Sequence, residues 1–225
     1  MNGGSKAVMA ISRKIKPEVV HDPLWELGGF KEMLCYLFMD NKEITDLVMP
    51  VLDDADFTFE ENWIGGIHTK TVSGEQRKVN LQGYCLTVPF MEGVVSSAKT
   101  FIAMETTCDS ITGKNTMDIS LQVYVYAHRD SVRLSNEEKQ KYHAMGYAGN
   151  RCDVIAMAIN RTLLNDNIKK SFGIGDLSLD NNSRSRPVGT HIPNNNYYGR
   201  VLSYTVPDFY VTSETRRKFV NAGRS

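Results

Sequence analysis

The sequence predicts an α+β domain: a mostly antiparallel sheet with a long helix packed on one face and short helices near the N-terminus. Two observations carry this. The periodic segments come in the order two helices, a long loop, strands, one helix, strands, which is grouping and not βαβ alternation. The segment "MDISLQVYVYAH" (117–128) also alternates over its whole length, with Ile119, Leu121, Val123, Val125 and Ala127 on one face and Asp118, Ser120, Gln122, Tyr124, Tyr126 and His128 on the other.

Taken in order, residues 1–28 read as an arm: Gly, Ser, Lys and Pro are mixed there with aliphatics that follow no period. Phe30, Met33, Leu34, Leu37 and Phe38 then recur at helical spacing, predicting a helix over about 29–39. In "NKEITDLVM", Asn41 is the N-cap, Ile44, Leu47 and Val48 form the apolar stripe, and Pro50 is the stop. Residues 53–82 are polar, acidic at the start and rich in turn formers, and read as a long loop or hairpin insertion. Strands follow at 84–90, 99–107 and 117–128, then a polar bridge, 129–150. In "RCDVIAMAINRTLLND", Val154, Ile155, Ala158, Ile159 and Leu163 mark one buried helix face, capped by Asn150, with Asp153 favourably placed in the first turn. "GIGDLSLD" is a glycine-broken turn running into a short strand. An Asn-rich loop (181–196) precedes the last strand, "GRVLSYTVPDF". Residues 29–209 thus form a single domain, and 210–225 a basic tail.

The 225 residues are enough for one well-cored domain. Twenty-six basic side chains balance twenty-six acidic ones, which argues against a protein that holds nucleic acid chiefly through phosphates. The same neutrality lets copies pack together with little electrostatic repulsion. Cys35, Cys85, Cys108 and Cys152 are far apart and form no CxxC pair. With no apolar leader at the N-terminus, free thiols and synthesis in the cytoplasm are expected. No apolar run is long enough to cross a bilayer.

No catalytic or metal-binding signature emerges, so no catalytic residue, cofactor or metal is expected. His128 and Asp130 look like part of a triad, but no G-x-S-x-G occurs, and a histidine closing a strand before Arg and Asp is more often a turn residue. Cys152 and His143 could pair as thiol and imidazole. Yet Cys152 sits in the first turn of an apolar helix, where a buried thiol is ordinary. The five histidines show no i, i+4 pairing, and "DDADFTFEE" lacks the glycine and spacing of a calcium loop. Glu105 and Asp118 lack the lysine a nuclease pair would need. What remains is a set of aromatic and polar surfaces, enriched as at protein interfaces: Tyr124, Tyr126, His128, Tyr197 and Tyr198.

The order "ISLQVYVYAH", "GYAGNRCDVIAMAINRTLLN", "FGIGDLSL", "YYGRVLSYTVPDF" resembles the neck proteins of tailed bacteriophages, in particular the tail-terminator and tail-completion group. The matching residues are His128, Arg151, Asp153, Gly173, Gly175, Gly199 and Arg200, and the resemblance spans 29–209. It implies a non-enzymatic virion protein forming a hexameric ring between head and tail, with Arg151, Asp153 and Arg200 joining the tyrosines and His128 as interface candidates. The implied partners are further copies, the head-closure or adaptor protein and the tail tube, with genomic DNA passing through the lumen. A head-closure or adaptor position is the alternative within the neck. The rivals outside it are a small enzyme using His128 or Cys152, and a nucleic-acid-binding module using Arg184, Arg186, Arg216, Arg217 and Lys218.

Overall fold

In the computed structural model, which describes residues 23–50, 52, 54–72, 75–88, 99–111, 116–166, 177–180 and 188–209, the chain builds one six-stranded sheet with its main helices on one face. Helix α1 (Pro23–Met39) buries Phe30, Met33, Leu34, Leu37 and Phe38, the five residues whose spacing predicted it. It starts at Pro23, so the last six residues of the expected arm are helical; residues 1–22 lie outside the described residues. Helix α2 (Lys42–Val48) is capped by Asn41, whose Oδ1 accepts from the Glu43 amide at 2.9 Å. The Asn41 Nδ2 donates to Thr162 Oγ1 at 2.7 Å and so ties this cap to a distant helix.

The expected long loop is instead largely ordered. It holds a short helix, α3 (Phe59–Ile64), and a hairpin of β1 (Gly66–Val72) and β2 (Glu75–Leu81) that forms a two-stranded sheet by itself. The hairpin was foreseen as one of two options; the helix was not. Helix α3 begins with a capping box, Thr58 and Glu61 each accepting from the other's backbone. Its Trp63 is fully buried and donates Nε1–H to the Cys35 carbonyl of α1 at 3.0 Å.

The main sheet runs β3 (Cys85–Leu86), β4 (Thr100–Ile111), β5 (Met117–His128), β8 (Tyr197–Phe209), β6 (Ser178–Leu179), with β7 (Val188–His191) also paired to β8. Every pairing is antiparallel except β3 with β4. The expected strand at 84–90 shrinks to two residues, and the Asn-rich loop contains β7. Strand β5 keeps its predicted bounds. The polar bridge before residue 151 also hides a helix, α4 (Asn136–Ala144), again opened by a capping box, here Ser135 with Glu138.

Helix α5 (Arg151–Leu163) lies on the sheet as the apolar stripe demanded, with Val154, Ile155, Ala158, Ile159 and Leu163 buried. It has 13 residues against 17 in α1, so the helix expected to be long is the shorter of the two. The main core joins α1, α2 and α5 to Ile102 and Met104 of β4, Ile119 to Val125 of β5, and Leu202, Tyr204 and Val206 of β8. Gly173, Gly175, Arg184, Arg186 and the tail cations lie outside the described residues.

Candidate functional site

Strand alternation gives the sheet a second face, which the main core does not use. Cross-strand register places Phe101, Tyr126, Gly199 and His191 in one row across β4, β5, β8 and β7. The next row holds Ala103, Tyr124, Val201 and Gly189. The rows beyond turn polar: Glu105, Gln122 and Ser203, then Thr107, Ser120 and Thr205. One face thus grades from aromatic to acidic and hydroxylated along 12-residue strands.

At its aromatic end the rings support one another. Tyr124 lies parallel to Tyr126, centroids 5.9 Å apart, and His191 stands edge-on to both, at 5.4 and 5.6 Å. The Tyr126 hydroxyl meets His191 Nδ1 at 2.8 Å. Phe101 contacts Tyr126 at 5.1 Å and Tyr197 at 5.6 Å, and His128 stands edge-on to Tyr197 at 5.4 Å. Burial raises the Tyr126 phenol far above its ordinary value, with the neighbouring Tyr124 adding to it, so this hydroxyl stays neutral.

Tyr126 is a correction to the sequence reading. It was expected to point outward, but it is 1% exposed, within a small second core with Phe101, Ala103 and Tyr197. Tyr124 is half-buried at the margin of that core. Gly199 makes the arrangement possible: a Cβ there would lie 2.6 Å from the Tyr126 ring and 2.9 Å from the His191 carbonyl. Gly199→Ala is therefore expected to cost about 1–3 kcal/mol by overpacking. It should also speed hydrogen exchange at Val188–His191; unchanged stability and exchange would show that the close approach is not needed.

The other candidates lie on the opposite, helix-covered face. Arg200 Nε donates to Asp153 Oδ1 at 2.5 Å, and its guanidinium lies 5.6 Å from the Tyr198 ring centre. Asp153 is also the third residue of the α5 capping box, its Oδ2 accepting from the Asn150 amide at 2.9 Å. Gly149, at φ +99°, leaves room for that carboxylate: a Cβ would lie 2.5 Å from it. Arg151 is 12% exposed and turned into the fold. It donates to the Ser131 carbonyl at 2.7 Å, the Leu47 carbonyl at 3.2 Å and both Glu138 oxygens at 2.8 and 3.0 Å. The Arg-x-Asp opening of the helix is thus a capping and cross-bracing device. A cavity of about 350 Å³ opens beside it, lined by Asp153, Met157, Asn160, Val188, Arg200 and Leu202.

Of the two catalytic-looking pairs, Cys152 and His143 occupy a buried and an exposed position, while His128 and Asp130 are neighbours in a turn. Cys152 is buried, donates to the Tyr198 carbonyl at 3.4 Å, and is pushed up to about 12 by burial, so its thiol stays protonated at neutral pH. His143 is exposed on α4. His128 Nδ1 lies 3.3 Å from a carboxylate oxygen of Asp130, itself 73% exposed, and accepts from the Asp130 amide at 3.4 Å. All four cysteines are free thiols, and of these Cys108 alone is exposed. Among the described residues no group of three His, Cys, Asp or Glu side chains is placed to hold a metal ion, and no helix is long and apolar enough to cross a membrane.

Sequence reasoning missed His191 and Phe101. "RPVGTHI" gave too short an alternation to be read as a strand, and Phe101, inside the expected strand at 99–107, had nothing in the sequence to show what it packs on.

These features define a class: an α+β domain with helices on one face of its sheet and a ring-lined, polar-graded surface on the other. The family model for YomW matches residues 32–206, so the chain belongs to the YomW family, which is phage-associated. Comparison with curated proteins and with solved structures returns no match.

Proposed function

We propose that this protein is a non-enzymatic structural component of a phage virion, a ring-forming tail terminator in the neck that joins head to tail. The observation that carries the proposal is the polar end of the sheet's second face in a phage-family chain, with Glu105, Gln122 and Ser203, then Thr107, Ser120 and Thr205, beside an aromatic end already closed as the second core. Such a surface suits coverage by other copies and by adjoining virion parts. The formal net charge of zero places no repulsion in the way of a closed ring of copies. The ring is hexameric on this proposal, its partners are the head-closure or adaptor protein and the tail tube, and the protein resides in the virion after synthesis in the host cytoplasm. DNA passes through the lumen without sequence-specific contact.

Deleting the gene from its phage tests this. DNA-filled heads and separate tails, or tails of uncontrolled length, are the expected products by electron microscopy. Normal infectious particles would reject the proposal, and empty or leaking heads with complete tails would move the protein to head closure.

A further inference from the structure

A second cavity, of about 500 Å³, opens where the turn after β5 meets the turn between β7 and β8. Arg129 and Arg133 line it from the first turn, Asn194 and Asn195 from the second. Two guanidinium side chains thus share one concavity, and no Asp or Glu stands among the described residues of its wall. Arg129 approaches Asp130, its neighbour in sequence, at 3.8 Å with both side chains largely exposed. A pair in that setting neutralises little of the charge. Arg133 is exposed as well.

Both walls are fixed by the fold itself. The amides of Ser131 and Val132 donate to the His128 carbonyl at 2.8 and 2.9 Å. Arg151 holds the same turn from below, its Nε donating to the Ser131 carbonyl at 2.7 Å and its amide to the Val132 carbonyl at 3.0 Å. In the opposite wall Asn194 Oδ1 accepts from the Asn196 amide at 2.9 Å. The Asn196 carbonyl accepts from the Arg129 amide at 2.8 Å, which joins one wall to the other. The two arginines therefore stand on a braced frame, and little ordering is left for a ligand to impose.

The chemistry of the wall selects what fits. An arginine fork matches the oxygens of a phosphate, and two guanidiniums match the charge of a phosphate monoester, about −1.5 to −2 near pH 7. A carboxylate brings half that charge. The volume falls among small-molecule sites, roughly 300–1,000 Å³, and leaves room beyond the anion. Asparagine side chains both donate and accept, as sugar hydroxyls require.

We infer that this cavity binds a phosphate monoester carried on a sugar, with Arg129 and Arg133 on the phosphate and Asn194 and Asn195 on the sugar hydroxyls. A free sugar phosphate and the phosphorylated end of a nucleic-acid strand both present that group. All four side chains belong to one chain, so binding does not depend on a ring.

Calorimetric titration of the full chain tests this. Thymidine 5′-monophosphate and ribose 5-phosphate should bind saturably, with Kd of about 1 mM or below, while thymidine and benzoate should bind at least tenfold more weakly. Arg129→Ala and Arg133→Ala should each weaken the nucleotide about tenfold or more. Lys139→Ala, which removes an exposed cation of α4 outside the cavity, should bind as the parent does. In the parent chain the nucleotide should shift the amide resonances of Asn194 and Asn195, a readout that needs no variant. Oligothymidylate with a 5′-phosphate separates the sources: tighter binding than the mononucleotide identifies a strand end, equal binding a free sugar phosphate, and either upholds the site. An oligomer without the terminal phosphate that binds as tightly would overturn the monoester. Failure of both phosphates to bind, binding that ignores both arginine substitutions, or benzoate binding as well as the nucleotide would overturn the inference.

Discussion

Arg151→Met should lower the unfolding free energy by about 3 kcal/mol, because it strips one partner from a desolvated ion pair and frees two backbone carbonyls. For a domain of this size that corresponds to a fall in Tm of roughly 6–12 °C, measurable by calorimetry. The cause is geometric. One guanidinium serves Ser131 after β5, Leu47 in α2 and Glu138 in α4, so three elements share one side chain. Arg151→Lys should recover little of the loss, since an ammonium lacks the fork that reaches all three. The pH dependence has a definite sign. Burial favours protonated Glu138, but the Ser135 amide and the Arg151 guanidinium outweigh it and hold the carboxyl below its usual range. Its contribution is complete above the ordinary glutamate value and is lost as pH falls through the lowered one. The methionine variant should therefore show a flatter acid limb than the parent chain. If Arg151 were an interface residue instead, the variant would keep its Tm and lose assembly.

Trp63→Ala should destabilise by about 3–5 kcal/mol, the ordinary range for deleting a buried tryptophan. Trp63 is 0% exposed and stacks near Phe59, with ring centres 6.3 Å apart. Its indole holds α3 to the Cys35 carbonyl, while its own carbonyl accepts from the Tyr84 amide at 2.8 Å. The loss should thus be felt on both sides of the hairpin base. Chemical denaturation checks the magnitude, and hydrogen exchange at Gly66–Leu81 checks the coupling. A loss confined to α3, with the hairpin's protection unchanged, would mean that the hairpin is held without Trp63, by ties such as the Lys70 pair with Asp54 at 3.3 Å and the close passage of Gly65 against Gly83.

The sequence made some elements legible and hid others for reasons that can be named. Strand β5 and helix α5 were read to within a residue or two because their periods are long and unbroken, and Asn150 was read as the cap it is. Helices α3 and α4 were missed although each announces itself with Ser or Thr followed three residues later by Glu: Thr58 with Glu61, and Ser135 with Glu138. One stretch reads as an acidic loop and the other as a polar bridge, yet Glu60, Glu61, Glu137 and Glu138 lie in the first turns of helices too short or too polar to show an apolar stripe. The faces of β5 were assigned correctly, but period 2 cannot say which face is dry. Tyr126 is buried because Gly199 and His191, more than 60 residues away, complete its surroundings. Arg151 and Asp153 were interface candidates through the resemblance alone; in the structure one braces three elements and the other, already placed by the sequence in the first turn, completes the cap of α5.

At the hairpin base Gly65 and Gly83, both at positive φ, pass so close that a Cβ on Gly65 would lie 2.5 Å from the Gly83 nitrogen and one on Gly83 2.5 Å from the Ile64 carbonyl, and this crossing insulates two kinds of change from each other. Substitutions, or even added residues, at the exposed positions Thr71 and Glu75 to Lys78 alter length, charge and reach without touching the buried Leu81 or the Lys70 pair with Asp54. A lineage could exchange that stretch as a cassette and so change whom the protein docks with while inheriting the same fold, provided both glycines stay. Drift in the hairpin beside constancy at its hinge is the signature to seek when related chains are compared.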